Sequence, residues 1–223
     1  PKKLPTWSDY GKAWWVAFTN TLFIAVPYGY VIAEFLMPAR DPSKYWGGDS
    51  LLVMPHWYEV FAQFWVFSLL HEAAFFYTHW LVHSRNFLGI NLYTLIHKKH
   101  HTFTAPFGIA CVYAHPVEHF LANITPLMLG PLVTNAHPLV FTWWLIFGLY
   151  STACTHSGYA HWSIPNGRFH DYHHEKFEVN YGSMGLFDKL HGTSAEYLVQ
   201  EYGITKEVDD LSKEDASADK KKK

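Results

Sequence analysis

Histidine accounts for 16 of the 223 residues, almost as many as the 17 lysines and arginines together. The histidines are clustered. His79-Trp-Leu-Val-His83 sets two imidazoles at i and i+4, on one face of a helix, where they can share a metal ion. His97-Lys-Lys-His100-His101 and His170-Asp-Tyr-His173-His174 repeat one H-x-x-H-H pattern. A looser set is His115-Pro-Val-Glu118-His119, with His156 in His-Ser-Gly-Tyr further on. Imidazole suits Zn, Cu, Fe and Ni, so the ligand type alone does not choose the metal. A structural zinc site takes four ligands, often with cysteine. Eight box histidines without cysteine exceed one zinc, and a dinuclear centre is the simpler count. The chain has two cysteines, Cys111 and Cys154, which cannot build a disulfide scaffold.

Lone histidines need weighing against an ordinary role. His56, His137 and His191 read as surface or satisfied polar groups, and His71, His119 and His161 lean the same way. His71 and Glu72 nevertheless sit inside an apolar run, where ionisable groups are costly and functional by default. Glu72 precedes His79 by seven residues, on nearly the same helix face. The axial gap of ~10 Å is too long for one shared metal. A link through another histidine is expected, or a pairing with some other polar group. Glu118 and Asp171 join Glu72 as acids expected to orient ligands and moderate metal charge.

The elements that must position these residues follow from the charge pattern. Hydrophobic residues make up 49% and charged residues 16%, but their distribution says more than the totals. No Asp, Glu, Lys or Arg occurs over 13–33 or 119–167. A membrane-crossing helix needs ~20 mainly apolar residues, so the first stretch can span once and the second twice. Spans are predicted at about 14–37, 57–83, 118–133 and 138–155. The last two are short, interrupted by Pro126 and Pro131, and read as a tilted hairpin. Trp7, Trp14 and Trp15 suit an interface. Segment 84–117 holds too much His and Lys to span. Residues 1–12 read as a polar lead-in, 13–200 as one membrane domain and 201–223 as a charged, disordered tail.

Four spans put the N-terminus, 84–117 and the C-terminal region on one side. Of the 17 Lys and Arg residues, only Arg40 and Lys44 fall on the other. The positive side is expected to be cytosolic, or matrix in a mitochondrial membrane. The predicted fold is therefore all-α: an integral membrane four-helix arrangement of two hairpins. Its cytosolic-side helical cap carries a histidine-ligated dimetal centre. A histidine-rich transporter would instead line a path across the bilayer. A net charge of −2 offers no basic surface for nucleic acid. No secretory signal or internal repeat is evident, and the start at Pro1 leaves a removed presequence open.

The boxes resemble the fatty acid hydroxylase/sterol desaturase superfamily, whose signature is H-x3-H, H-x2-H-H and a later H-x2-H-H. Tyr113-Ala-His-Pro-Val-Glu-His, His156-Ser-Gly-Tyr, Phe169-His-Asp-Tyr-His-His, Asn180-Tyr-Gly-Ser and Phe187-Asp-Lys-Leu-His-Gly-Thr look most like its C4-methylsterol oxidase branch. The resemblance covers about residues 60–195. It implies two Fe ions, with Zn as a substitute in purified protein. It implies ligation by His79, His83, His97, His100, His101, His170, His173 and His174, with His156 and His115 as further candidates. No catalytic side chain is implied beyond the metal centre. The implied activity is O2-dependent hydroxylation or oxidation of a C–H bond in a membrane lipid, of the sterol or fatty-acyl class. Electrons would come from NAD(P)H through a cytochrome b5-type or reductase partner, since no cytochrome b5 domain is fused here.

The implied location is the endoplasmic reticulum, with a mitochondrial membrane as alternative. Lys220 to Lys223 fit a cytosolic retrieval signal. Two departures stand out: Trp80 follows His79 where the family commonly has Arg, and the loop after the first span is short. The rival reading is a non-catalytic hydroxylase-like subunit of a larger membrane complex. A lipid-facing tunnel to the metals would favour the enzyme; a large contact surface would favour the subunit.

Overall fold

The computed structural model describes residues 4–32, 55–158 and 167–203. The end of the expected first span, the loop with Arg40 and Lys44, His161 and the lysine tail lie outside the described residues. Among the described residues there is no strand, only an isolated bridge between Phe87 and Ile90.

Helix α1 (Trp7–Asn20) starts on a reciprocal cap. Thr6 Oγ1 accepts from the Asp9 N–H at 3.3 Å, and Asp9 Oδ2 accepts from the Thr6 N–H at 3.0 Å. A π-helical segment, Thr21–Ala25, then leads into α2 (Val26–Val31). The same sequence of events recurs later, where the turn Pro116–Glu118 and a π segment, His119–Ile124, lead into α4 (Thr125–Thr134). In both places a proline follows at once, Pro27 and Pro126. Proline has no N–H to give the regular helical bond, so the preceding turn widens. Thr125 Oγ1 takes up one freed carbonyl, that of Phe120, at 2.8 Å.

Helix α3 (Trp57–Val82) is unbroken over 26 residues, ~39 Å. Helix α5 (Pro138–Thr155) has 18 residues. Asn135, with φ 51°, turns the chain between α4 and α5. His137 Nδ1 accepts the Leu139 N–H at 3.2 Å and caps α5. Among the described residues, α3 and α5 are the helices long and apolar enough to cross a membrane. Trp57, Phe61 and Trp65 on α3, and Trp143, Ile146 and Tyr150 on α5, are exposed. Exposed aromatic and aliphatic side chains of this kind suit lipid better than water.

Helix α3 packs chiefly on α4. The approach is closest at Gly130, where a Cβ would lie 2.6 Å from Phe67 Cα. Phe67, Ala136, Val140 and Trp144 form the buried core there. The Trp144 indole N–H donates to the Leu127 carbonyl at 2.8 Å. A second cluster, Ala13 with Phe107 and Ala110, fixes the 103–114 stretch on α1. Asn20 Nδ2 reinforces it by donating to the Ala114 carbonyl at 3.1 Å. Beyond the turn Leu92–Leu95 come two 3₁₀ segments, His97–Thr102 and Gly108–Val112. Helices α6 (Gly167–Lys176), α7 (Leu186–His191) and α8 (Ala195–Tyr202) complete the described chain.

Candidate metal centre

Four places in the fold deliver imidazoles to one region. The last turns of α3 carry His79 and its C-cap His83. The first 3₁₀ segment carries His97, His100 and His101, and α6 carries His170, His173 and His174. The C-cap of α5 adds His156. All nine are buried.

These side chains form two adjoining groups: His79, His83, His97, His101 and His173 in one, and His100, His156, His170 and His174 in the other. Each i, i+4 pair (79/83, 97/101 and 170/174) stays within one group. The i+3 member of each triplet, His100 or His173, crosses to the other. Each triplet thus stitches the two groups together.

Hydrogen bonds on the outer ring nitrogen fix the tautomers. The Nδ1–H of His79 donates to the Tyr181 carbonyl at 2.6 Å, and that of His173 to the Val179 carbonyl at 2.6 Å. His97 donates its Nδ1–H to Glu118 Oε1 at 2.6 Å, and His156 to the Thr152 carbonyl at 2.9 Å. Each therefore presents a bare Nε2 to the interior. His79 Nε2 and His97 Nε2 lie 3.1 Å apart, lone pair facing lone pair. That contact is repulsive unless a cation lies between them.

The spacings fit a metal. Nε2 atoms in the first group approach at 2.8 Å (His97–His101), 3.2 Å (His83–His173) and 3.3 Å (His83–His101). In the second they approach at 3.0 Å (His156–His170) and 3.2 Å (His170–His174). Metal–imidazole bonds of ~2.0–2.1 Å give neighbouring nitrogens on the order of 3 Å apart. Burial, reinforced by neighbouring imidazoles, holds His97, His101, His170 and His174 below the usual histidine range, so they are neutral donors at pH 7. Burial pushes the Cys111 thiol up to about 12, and Cys111 joins neither group.

The remaining sequence candidates fall in different places. Glu118 touches His97 directly, as an orienting acid should. His115 joins neither group; its Nδ1 accepts the Val117 N–H at 3.2 Å and caps the Pro116–Glu118 turn. Asp171 is half-buried, and its charge acts on His156. Glu72 contacts no histidine of either group. Its Oε2 accepts the Ser183 and Met184 N–H groups at 2.8 and 2.7 Å and the Ser183 hydroxyl at 2.7 Å, and its Oε1 accepts the Leu186 N–H at 2.9 Å. Of the two expected arrangements this is the pairing with other polar groups: Glu72 holds the loop whose Tyr181 carbonyl holds His79.

Asp188, unmarked by sequence reasoning, completes that loop. It accepts the N–H groups of Tyr181 and Gly182, each at 2.7 Å, and the Thr193 hydroxyl at 2.6 Å. Its signal lay in the Phe187-Asp-Lys-Leu-His-Gly-Thr stretch. The carbonyls of Tyr181, Val179 and Thr152 carried no side-chain signal.

A cavity of about 1120 Å³ runs between α2, α3, α4 and α5, lined mainly by apolar and aromatic side chains. One part of its wall is Trp57 and Phe61; another is His156 and His170 of the second group. Both π segments line it, through Thr21 and Ala25 and through His119 and Asn123.

Comparison with known proteins places the chain in a family. The fatty acid hydroxylase family model matches residues 64–193, which include every histidine of both groups. The chain is 39% identical over 174 residues to human "Fatty acid hydroxylase domain-containing protein 2", covering 78% of this chain and 49% of that protein. It is 29% identical over 213 residues to chicken (Gallus gallus) "Methylsterol monooxygenase 1", covering 89% of this chain and 66% of the relative. It is 32% identical over 166 residues to a rice (Oryza sativa subsp. japonica) "Very-long-chain aldehyde decarbonylase GL1-8", covering 69% and 60%. The chain spans about half the length of the first of these relatives. No solved structure matches. With the family model covering more than half its residues and the histidines in place, this chain belongs to the fatty acid hydroxylase family.

Proposed function

We propose that this chain is the catalytic domain of a di-iron membrane oxygenase that hydroxylates or oxidises a C–H bond in a membrane lipid of the sterol or fatty-acyl class. The supporting observation is the apolar cavity that reaches His156 and His170. An enzyme acting on lipid needs such a passage, whereas a purely structural subunit does not. The volume lies slightly above the ~300–1,000 Å³ of ordinary small-molecule sites, which suits a large apolar substrate.

On this reading five imidazoles hold one iron and four hold the other, in the two groups described. The chemistry supplied by the bound irons is O2 activation and C–H oxidation, with electrons from NAD(P)H through a cytochrome b5-type or reductase partner. The chain's own residues do the rest. Glu118 and the carbonyls of Tyr181, Val179 and Thr152 keep protons on Nδ1 of His97, His79, His173 and His156, leaving Nε2 free. The aromatic walls align the hydrocarbon frame and exclude water from the imidazoles.

A four-span arrangement, with the histidines on the cytosolic side of the endoplasmic reticulum membrane, is part of the same reading. The apolar faces of α3 and α5 and the lysine-rich side of the chain support it.

Ala122 is buried, lines the cavity and belongs to neither histidine group. Ala122→Phe should fill the passage and cut lipid turnover by at least 10-fold with metal content unchanged. Turnover is read as product carrying oxygen from labelled O2, with purified protein, reductant and membrane lipid. Full turnover in the filled variant would contradict the route; no oxygen transfer by the wild type with both metals present would contradict the activity.

A further inference from the structure

His71 is a polar group that the metal centre does not use. It lies on α3 and lines the apolar cavity. Its ring stacks on Phe75, with centroids 5.7 Å apart and planes 11° from parallel, and meets Trp144 edge-on at 6.1 Å. Aromatic surfaces therefore hold it in place. Its Nδ1 is buried without a hydrogen-bond partner, and the Pro126 backbone lies beside the ring.

Several other polar side chains on the cavity wall are hydrogen-bonded within the protein. Trp144 Nε1–H donates to the Leu127 carbonyl, Ser68 to the Phe64 carbonyl, Thr152 to the Gly148 carbonyl and Ser183 to Glu72. A buried polar atom left unpaired is costly, and native structures rarely keep one without a use.

We propose that His71 recognises a hydroxyl group on the lipid, which deepens and rests on the oxygenase reading above. The class of polar group follows from the cavity. No Lys, Arg, Asp or Glu lines it among the described residues, so a charged headgroup such as a carboxylate would be buried without a counter-ion. A hydroxyl is uncharged and both donates and accepts, so it complements an imidazole in either tautomer. His71 precedes His79 by eight residues, ~12 Å along the helix. The substrate is therefore a neutral lipid whose hydroxyl lies well away from the carbon that is oxidised.

The test measures binding of matched lipids to the purified full chain in detergent: a sterol against its hydroxyl-free hydrocarbon, a long-chain alcohol against its alkane, and the fatty acid of equal length. In at least one frame the alcohol member should bind roughly 5-fold tighter, the worth of one net hydrogen bond. His71→Leu should bring that ratio below about 2-fold, and His71→Gln should recover part of it. Lipid-free His71→Leu should also melt at a higher temperature, because an unpaired polar atom is removed; a merely structural histidine would give the opposite sign.

An unchanged ratio in His71→Leu, no hydroxyl preference in either frame, or tightest binding of the fatty acid would overturn the assignment. Failure of the wild type to bind any of the lipids would instead strike the cavity reading itself. Metal content, measured in parallel on both variants, separates either failure from damage to the centre.

Discussion

Glu118 and His97 are the pair that most needs each other. Both are buried, and their 2.6 Å contact both relieves the acid's isolation and aims the ligand. Replacing the carboxylate by an amide keeps the shape and weakens the grip on the Nδ1 proton. Glu118→Gln is expected to lower metal affinity by about 10- to 100-fold, the usual worth of such an outer partner. Competition with a chelator would measure it, and wild-type affinity in Glu118→Gln would remove Glu118 from the centre. At this scale much was legible beforehand. Imidazole spacing marked the eight box histidines, because i and i+4 are neighbours on any helix. Their division into two groups was not, because it depends on how α3, α6 and the 97–102 segment face one another. His115 shows the same limit: a motif position identical in type to a ligand is spent on a helix cap.

At the scale of elements, the loop 180–188 is held by two buried acids rather than by an apolar core. Glu72 and Asp188 are both fully buried, and their charges are met by backbone N–H groups and hydroxyls. Gly182 sits between them, where a Cβ would lie 2.5 Å from Asp188 Oδ2 and 2.7 Å from Glu72 Oε1. Gly182→Ala should therefore push the loop off α3, move the Tyr181 carbonyl and loosen His79. We expect a loss of roughly 1–3 kcal/mol in stability with weaker metal retention, read by thermal unfolding with and without chelator. Unfolding and retention both like wild type would mean the loop has slack. Gly130→Ala tests helix packing alone: its Cβ would meet Phe67 Cα at 2.6 Å, so α3 and α4 must separate. A similar cost, roughly 1–3 kcal/mol, is expected from overpacking, and no change in unfolding temperature would contradict that close approach.

The apolar stretch expected to span at 57–83 corresponds to α3, and the second half of the charge-free run 119–167 corresponds to α5. The first and third expected spans were harder to read. Pro27 and Pro126 were visible, but their effect was to leave a π segment on the cavity wall rather than to end the helix.

For the molecule as a whole, the histidine groups gather at the C-terminal ends of α3 and α5, and the apolar cavity reaches the second of them. This links the two halves of the account, a metal centre and a lipid passage. The cavity lay beyond sequence reasoning, because its walls come from residues as far apart as Thr21 and Met184. The most direct test is the iron count of the purified chain, by elemental analysis with nitrogen ligation confirmed by X-ray absorption. Two irons per chain are predicted for the wild type. His174→Ala, which removes one of only four imidazoles in the second group, should reduce the count to about one while the five-histidine group keeps its iron. A wild-type chain holding one iron or none after iron loading, or two irons at full occupancy in His174→Ala, would contradict the assignment of the two histidine groups to two metals.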